Sequence, residues 1–448
     1  MHNEEYRKKL ITPEQAASMV ESGMIVDFLG FTSVSTTFDK ALSMRSDELK
    51  DVKIRTILSF HSGWAVFKAD PEHKAFMSEP VFVDGILRRE FGLGNFAGVP
   101  SLFNEFPRMY DKGDLPVDVG TFAVSPMDEE GYFHMGPSSG SYGLAMARAA
   151  KTFIAEVNTN VFKIKNSHED IKIHISEVDY IIEGQNSPLS VLPDPPATGE
   201  AIEIGKIIVN EIIDGACLQV GIGAIPQAVV TLLNESDIKD LGVHTELFAD
   251  GLMKLCKSGK VTNKRKTFMP GVSATALAMG TNELYEFCKT TDKLCMLPIN
   301  VSNDPYNIGL NDNVVAINAC LEIDLTGQVN SESMGPHMFS GTGGQLDYVM
   351  GAYRSKGGKS IVCASSTYKK KDGTPGSRIV PFLKPGACVT DPRASMQYFC
   401  TEHGIVNLKG CSMWTRSEKL ISIAHPNFRD ELIKEAESMK IWRPSNKR

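Results

Sequence analysis

The stretch LGVHTELFADG, residues 241–251, places a glutamate, Glu246, where an apolar run gives way to a turn. A carboxylate in that position is either a charge left to solvent or a group presented at the rim of a sheet, with the chemistry of a nucleophile towards an activated carbonyl. Spacing alone leaves both readings open. Upstream, QVGIGAIPQAV (219–229) reads as a strand entering a Gly-x-Gly turn and then a helix, with Pro226 in the first turn, where its missing donor costs little. Such a turn offers backbone N–H groups to an oxyanion or a phosphate, although a plain tight turn has the same pattern. It is not the dinucleotide fingerprint, because position 226 holds proline where the third glycine would fall. A second loop, FSGTGGQLDYVMGA (339–352), carries Gly341, Gly343 and Gly344 and no P-loop lysine.

Other reactive side chains are weaker candidates. Cys217 lies in the apolar run CLQVGIG and reads as a small buried hydrophobe. His244, two residues before Glu246 on the same strand, shares its face and either packs there or orients a substrate. Asp250 reads as a turn residue, and Lys369, Lys370 and Lys371 in STYKKKDGTPG as a basic loop, solvated or in contact with phosphates. The nine cysteines form no CxxC and the ten histidines no HExxH, which favours reduced thiols in a cytoplasm over a disulfide framework or a metal site.

These residues need a scaffold, and the composition says which kind. The chain has 448 residues, 42% of them hydrophobic and 23% charged, enough for two or three globular units. A net charge of −7 argues against a nucleic-acid surface. The N-terminus lacks the apolar core of a secretory signal, and the most membrane-like window, 215–233, is broken by Gln219, Pro226 and Gln227 and reads as a buried strand plus the start of a helix. Strands are expected at IVDFLGF, KIRTILSF, VDVGTFAVS, KTFIAEV and HISEVDYIIE, then at CLQVGIG, LGVHTEL, KTFMP, KLCMLPIN, VVAINACLEI, SIVCAS and ACVT. Helical spacing between them points to α/β layers on mostly parallel sheets. The proline-rich segment SPLSVLPDPPATGE marks a linker at 188–199, giving domains 1–187 and 200–448. Segments 14–42 and 204–233 repeat one grammar of helix, glycine, strand, glycine turn and helix, anchored at Gly23 and Gly215, and this suggests two similar domains facing each other.

Taken in order, GIGAIPQAV, HTELFADG, SND (302–304), AINACLEIDLTGQVNSES (316–333) and FSGTGGQLD resemble the acetyl-CoA hydrolase/transferase family of carboxylate CoA-transferases, in the style of its butyryl-CoA:acetate and 4-hydroxybutyrate members. EVN (156–158), SRIVPFL (377–383) and IAHPNFRDEL (423–432) extend the similarity over nearly the whole chain. The resemblance implies an α/β CoA-transferase fold: two similar open domains with mostly parallel sheets and the active site in the cleft between them. It implies that Glu246 is the catalytic nucleophile, carried as a glutamyl-CoA thioester in a ping-pong reaction. Gly221, Ile222, Gly223, Ala224 and Ile225 become the oxyanion and CoA loop, and Gly341, Gly343 and Gly344 the second CoA-facing loop. Asn303 orients the reacting carboxylate; apart from the resemblance, Lys369 and Lys370 of the basic loop are the candidates for contact with the CoA phosphates. Gln227 departs from the family's commonly acidic residue. Coenzyme A and acyl-CoA enter as substrates beside short-chain carboxylic acids, with no permanently bound cofactor, no metal, no nucleic acid and no membrane, in a homo-oligomer built on dimers. The expected reaction is butyryl-CoA plus acetate giving butyrate and acetyl-CoA, with 4-hydroxybutyrate, propionate or simple hydrolysis as alternatives. Apposed domains would line the acyl pocket with Met127, the segment PSSGSYG (137–143), Phe31 and Thr32.

Overall fold

The computed structural model describes residues 2–443 and 445, except 60–62, 92–95, 139, 169–170, 193–194 and 198. Pro193 of the proline-rich segment and Ser139 of PSSGSYG therefore lie outside the described residues.

Two open sheets carry the chain. The first holds β1 (Ile25–Phe28), β2 (Val52–Arg55), β3 (Phe76–Ser78), β4 (Val119–Val124), β5 (Thr152–Val157) and β6 (Tyr180–Glu183), in the order β3-β2-β1-β4-β5-β6 and parallel throughout. The second holds β7 (Cys217–Val220), β8 (Gly242–Phe248), β9 (Ser273–Ala278), β10 (Leu294–Met296), β11 (Val314–Ala319), β12 (Lys359–Cys363), β13 (Tyr398–Thr401) and β14 (Gly404–Asn407). Its order is β10-β9-β8-β7-β11-β12-β13-β14, and only the β13–β14 pair runs antiparallel. With one edge strand removed from each side, the second sheet repeats the first strand for strand. The first sheet lies before residue 184 and the second after 216.

The repeat extends to local chemistry. α1 (Pro13–Ser18) leads into β1 and α2 (Thr36–Ser43), as α3 (Gly199–Val209) leads into β7 and α4 (Ala224–Glu235). Just before each first strand the backbone turns through a left-handed glycine, Gly23 at φ +83° and Gly215 at φ +79°. Each glycine donates its N–H to a lysine carbonyl that precedes the next strand, Gly23 to Lys50 (2.9 Å) and Gly215 to Lys239 (3.0 Å). A side chain at φ above zero is strained, which is why glycine occupies both places.

The strand readings need correction at two loops and at four strands they missed, β3, β9, β13 and β14. KTFMP (266–270) is a loop, with Met269 at φ +52° and the buried Lys266 ammonium donating to the carbonyls of Val243 (2.9 Å) and Val272 (2.7 Å). ACVT (387–390) is also a loop, with the Cys388 amide on Ser333 Oγ (2.7 Å) rather than on a strand ladder. Of the missed strands, β9, SATALA, has too little β-branched character to announce itself. It is buried on both faces, and its small side chains let the first half of the chain approach: Gly140 donates to the Ala276 carbonyl at 3.0 Å. A Cβ on Gly140 would overlap the backbone of Ala276 and Leu297, so PSSGSYG joins the two halves. Among the described residues no helix is long and apolar enough to cross a membrane.

Candidate active site

In each half the first three strands end at one cavity of about 150 Å³. From the first half come Phe31 after β1, Ile57 and Leu58 after β2, Val81 and Phe82 after β3, and then Ser101, Phe103 and Phe106. From the second come Gln219 to Ile222 at the end of β7, Glu246 and Leu247 on β8, Leu277 and Met279 at the end of β9, Asn318 on β11, and Gly343, Gly344, Gln345 and Tyr348. The carboxyl ends of parallel strands, where the strand order reverses, are where open α/β sheets receive ligands, and β7 is the reversal point here.

Glu246 is half-buried and faces this cavity. β7 pairs with β8 only at Cys217–Gly242 and Leu218–Val243, so the strands part just below Glu246 and leave its side chain room. Two donors hold its carboxyl group. Asn303 Nδ2 donates to Glu246 Oε2 at 2.7 Å, and the Gly344 amide donates to the same carboxyl. Burial pushes the Glu246 carboxyl up to about 7, against the opposing pull of Asn303 and the Gly344 amide.

The support behind these donors is specific. Asn303 caps the short helix α5 (Ile299–Ser302) and is fully buried. Ser302 Oγ donates to Asn303 Oδ1 at 2.8 Å, which leaves the amide nitrogen directed at Glu246. The Ser302 carbonyl in turn accepts from His244 Nε2 (2.7 Å) and from Tyr348 OH (3.1 Å). Asn311 Nδ2 lies 3.2 Å from His244 Nδ1 and donates to it, so the proton sits on Nε2. Burial and the nearby Lys266 charge push the His244 imidazole down to about 3, so it stays neutral. Of its two sequence readings, the packed one holds: His244 braces the peptide before Asn303.

Gly344 opens the helix α6 (Gln345–Arg354) with φ −97°, an ordinary value for any residue. The left-handed member of the loop is Gly343, at φ +55°. Gly344 is glycine because of crowding, since a Cβ there would overlap both Glu246 Oε2 and Asn303 Nδ2. Gly341 packs a step away, against the Val81 carbonyl and the Phe82 ring.

In the first glycine loop, Gly221 and Ile222 line the Glu246 cavity, and Gly223 lines a small adjoining space. The Gly221 amide is taken by the Ile317 carbonyl (3.2 Å), which removes it from the oxyanion donors expected of that turn. Among the described residues, no hydrogen bond occupies the amides of Ile222 and Gly223. Ala224 and Ile225 turn into the core as the first residues of α4. Lys369 and Lys370 stand on an exposed hairpin, 367–369 with 375–377, and neither lines the cavity. Cys217 is buried, and desolvation pushes its thiol up to about 11, so it is no nucleophile. Of the described residues expected to line an acyl pocket only Phe31 does so. Thr32 hydrogen-bonds Ser138 (2.7 Å), and Met127 lines a separate surface groove.

Two further groups escaped the sequence reading. Asp347, in the first turn of α6, is buried and accepts from Asn104 Nδ2 (2.5 Å) and the Asn104 amide (3.3 Å). With the Phe103 amide donating to the Gly343 carbonyl (3.3 Å), this pins the first half of the chain over the loop that touches Glu246. Burial, and then the charge of Glu246, push the Asp347 carboxyl up to about 8. Asp347 and Tyr348 lie inside the segment already marked by its glycines, and only their burial against Asn104 and Ser302 distinguishes them.

Known proteins are similar to this chain in sequence and in fold. The acetyl-CoA hydrolase/transferase N-terminal domain profile matches residues 1–193, and the C-terminal domain profile of the same family matches 280–436. A protein of Syntrophomonas wolfei named probable butyrate:acetyl-CoA coenzyme A-transferase is 42% identical over 99% of this chain and 98% of its own length. Butyryl-CoA:acetate CoA-transferase of Anaerostipes caccae is 41% identical over 99% of both. The crystal structure of RipA from Yersinia pestis, 38% identical, superposes with a TM-score of 0.87 over 98% of this chain and 100% of that one. With sequence similarity over 99% of the chain and a matching fold over 98% of it, the chain belongs to the acetyl-CoA hydrolase/transferase family of enzymes.

Proposed function

We propose that this chain moves CoA between short-chain carboxylates, with butyryl-CoA and acetate giving butyrate and acetyl-CoA, and that Glu246 carries the CoA. The observation that carries this reading is the geometry of Glu246: a carboxylate with a raised proton affinity, held by Asn303 and the Gly344 amide, facing an apolar cavity between the two sheets. The domains are taken as 1–187 and 200–448, joined by 188–199.

A Glu246 oxygen attacks the acyl thioester carbonyl, and the C–S bond breaks with its electron pair leaving on CoA sulfur. The thiolate then attacks the glutamyl carbonyl of the mixed anhydride, and the acyl carboxylate departs. A glutamyl-CoA thioester remains, and the acceptor acid reverses both steps. No proton is gained or lost, and one negative charge is present throughout. Two tetrahedral centres form in turn, one on the acyl carbon and one on the glutamyl carbon. Asn303 and the Gly344 amide already point at the glutamyl oxygens and serve the second centre. The free amides of Ile222 and Gly223 serve the first, each donor being worth roughly 3–4 kcal/mol.

The test is a half-reaction. Enzyme incubated with butyryl-CoA alone should release butyrate, form no free thiol, and hold CoA on Glu246 as a thioester reducible by borohydride. Stoichiometric thiol release would make the chain a hydrolase, and a requirement for both substrates before any product appears would exclude the ping-pong order. Acid should slow the same half-reaction. The attacking form is the carboxylate and its proton affinity is raised, so the rate of thioester formation should fall about tenfold per pH unit below about 7 and level off above it. A midpoint at the ordinary carboxylate value would overturn the raised proton affinity assigned to Glu246.

A further inference from the structure

We infer that the cavity accepts uncharged acyl groups up to a six-membered ring and rejects dicarboxylates, with Phe31 as the residue that sets the upper limit. This rests on the transfer reading above.

The wall is apolar where an acyl chain would lie. Among the described residues that line it there is no lysine, arginine or histidine, and the only carboxyl is Glu246 itself. A second carboxylate on the substrate would enter without a counter-charge, beside a group of the same sign, so it would remain in water. The polar side chains on the wall are already paired. Gln219 Nε2 donates to Asn318 Oδ1 (3.2 Å) and Asn318 Nδ2 to Gln219 Oε1 (3.0 Å), so the two amides satisfy each other. Gln345 donates to Ser331 (2.8 Å) and Asp391 (2.6 Å). One uncharged hydroxyl, Ser101 Oγ, is buried without a partner.

The volume sets the size. A cavity of about 150 Å³ is that of apolar protein cavities known to accept benzene, so a six-membered ring fits and a linear eight-carbon chain does not.

Phe31 is placed there at a cost. Its φ of +57° is in the left-handed region, which bulky side chains avoid, and its amide is fixed on the Leu58 carbonyl at 2.7 Å. That backbone turns the ring onto Phe103, 6.2 Å between centroids and stacked, and Phe103 meets Phe106 edge-on at 5.9 Å. Strain at a cavity wall, in a residue that glycine would replace without strain, points to the ring as the feature being kept.

The experiment measures kcat/KM with acetyl-CoA as donor and a panel of acceptor acids, alongside exchange of labelled acetate into acetyl-CoA. Butyrate, hexanoate and cyclohexanecarboxylate should fall within about tenfold of one another, with octanoate and succinate at least about 100-fold below butyrate. Phe31→Gly should raise octanoate relative to butyrate at least about tenfold; if that variant does not fold, Phe103→Leu is judged on the same ratio. Absence of acetate exchange would overturn the transfer reading itself. Normal exchange with succinate or octanoate used as well as butyrate, or an unchanged ratio in the folded variant, would overturn the inference about the cavity and leave transfer standing.

Discussion

Replacing Glu246 with alanine is expected to lower turnover by at least about 10⁴-fold and to abolish the borohydride-trapped thioester. In the proposed scheme the Glu246 carboxyl takes part in every covalent step, and among the described residues that line the cavity there is no cysteine, lysine or histidine. Cys217 is buried with its thiol pushed up, and His244 is turned onto a backbone carbonyl. Binding of CoA should survive, because most of that molecule lies away from the reacting carbon. Thermal stabilisation by CoA should therefore match wild type while product formation disappears. The Glu246→Gln variant should be equally inactive when fresh, because an amide keeps the shape and loses the nucleophile. Turnover within about tenfold of wild type in either variant would falsify the covalent mechanism.

The second large effect is expected at Gly344. Its backbone angles suit any residue, so alanine there introduces no conformational strain. The added methyl would instead enter the space of Glu246 Oε2 and Asn303 Nδ2, forcing the carboxyl off both of its donors. Losing preorganised donors of this kind costs about 10²–10³ in rate each, so Gly344→Ala should lower the rate of thioester formation about 10³-fold with a near-native melting temperature. Gly343 is the control. At φ +55° an alanine is strained whatever space it has, so Gly343→Ala should lower stability by about 1 kcal/mol and leave more of the rate intact. The two variants thus separate crowding at the reacting group from conformational demand. A normal rate in folded Gly344→Ala would show that the carboxyl tolerates displacement, and the donor assignment would fail.

How much of this could be read from the chain depends on whether a feature is local. Glu246, Gly221, Ile222, Asn303, Gly343 and Gly344 each sit in a short segment whose types and order are distinctive, and the structure gathers all six around one cavity or its rim. The β-turn-α grammar of the two halves was equally plain, because parallel strands buried on both faces read as apolar runs bounded by glycine. The failures are tertiary. β9 is made of Ala, Ser, Thr and a single Leu, since another part of the molecule must come close to it, and nothing in its composition says strand. KTFMP has strand-like residues, but its lysine is drawn inward to two carbonyls, and the backbone bends to deliver it. The cavity wall is drawn from seven strands, the segment 101–106 and the start of α6, so Phe103 and Phe106 carry no sign of it in sequence. Asp347 looks like any helix-start acid until Asn104, more than two hundred positions earlier, is seen to bind it.

The strand-for-strand repetition of the two sheets has a consequence for how such a protein changes over generations. The end of β8 bears the acid, while its counterpart, the end of β2, bears Ile57 and Leu58. On the proposed chemistry, the copy that makes and breaks bonds is therefore encoded apart from most of the copy that recognises what is being moved. Drift at positions such as 31, 57, 81 and 103 alters the diet of the enzyme without touching Glu246, Asn303 or Gly344. A lineage can then explore new foods one apolar residue at a time while its reactive apparatus stays under separate selection, and genes joined near the proline-rich segment would carry appetite from one parent and chemistry from the other.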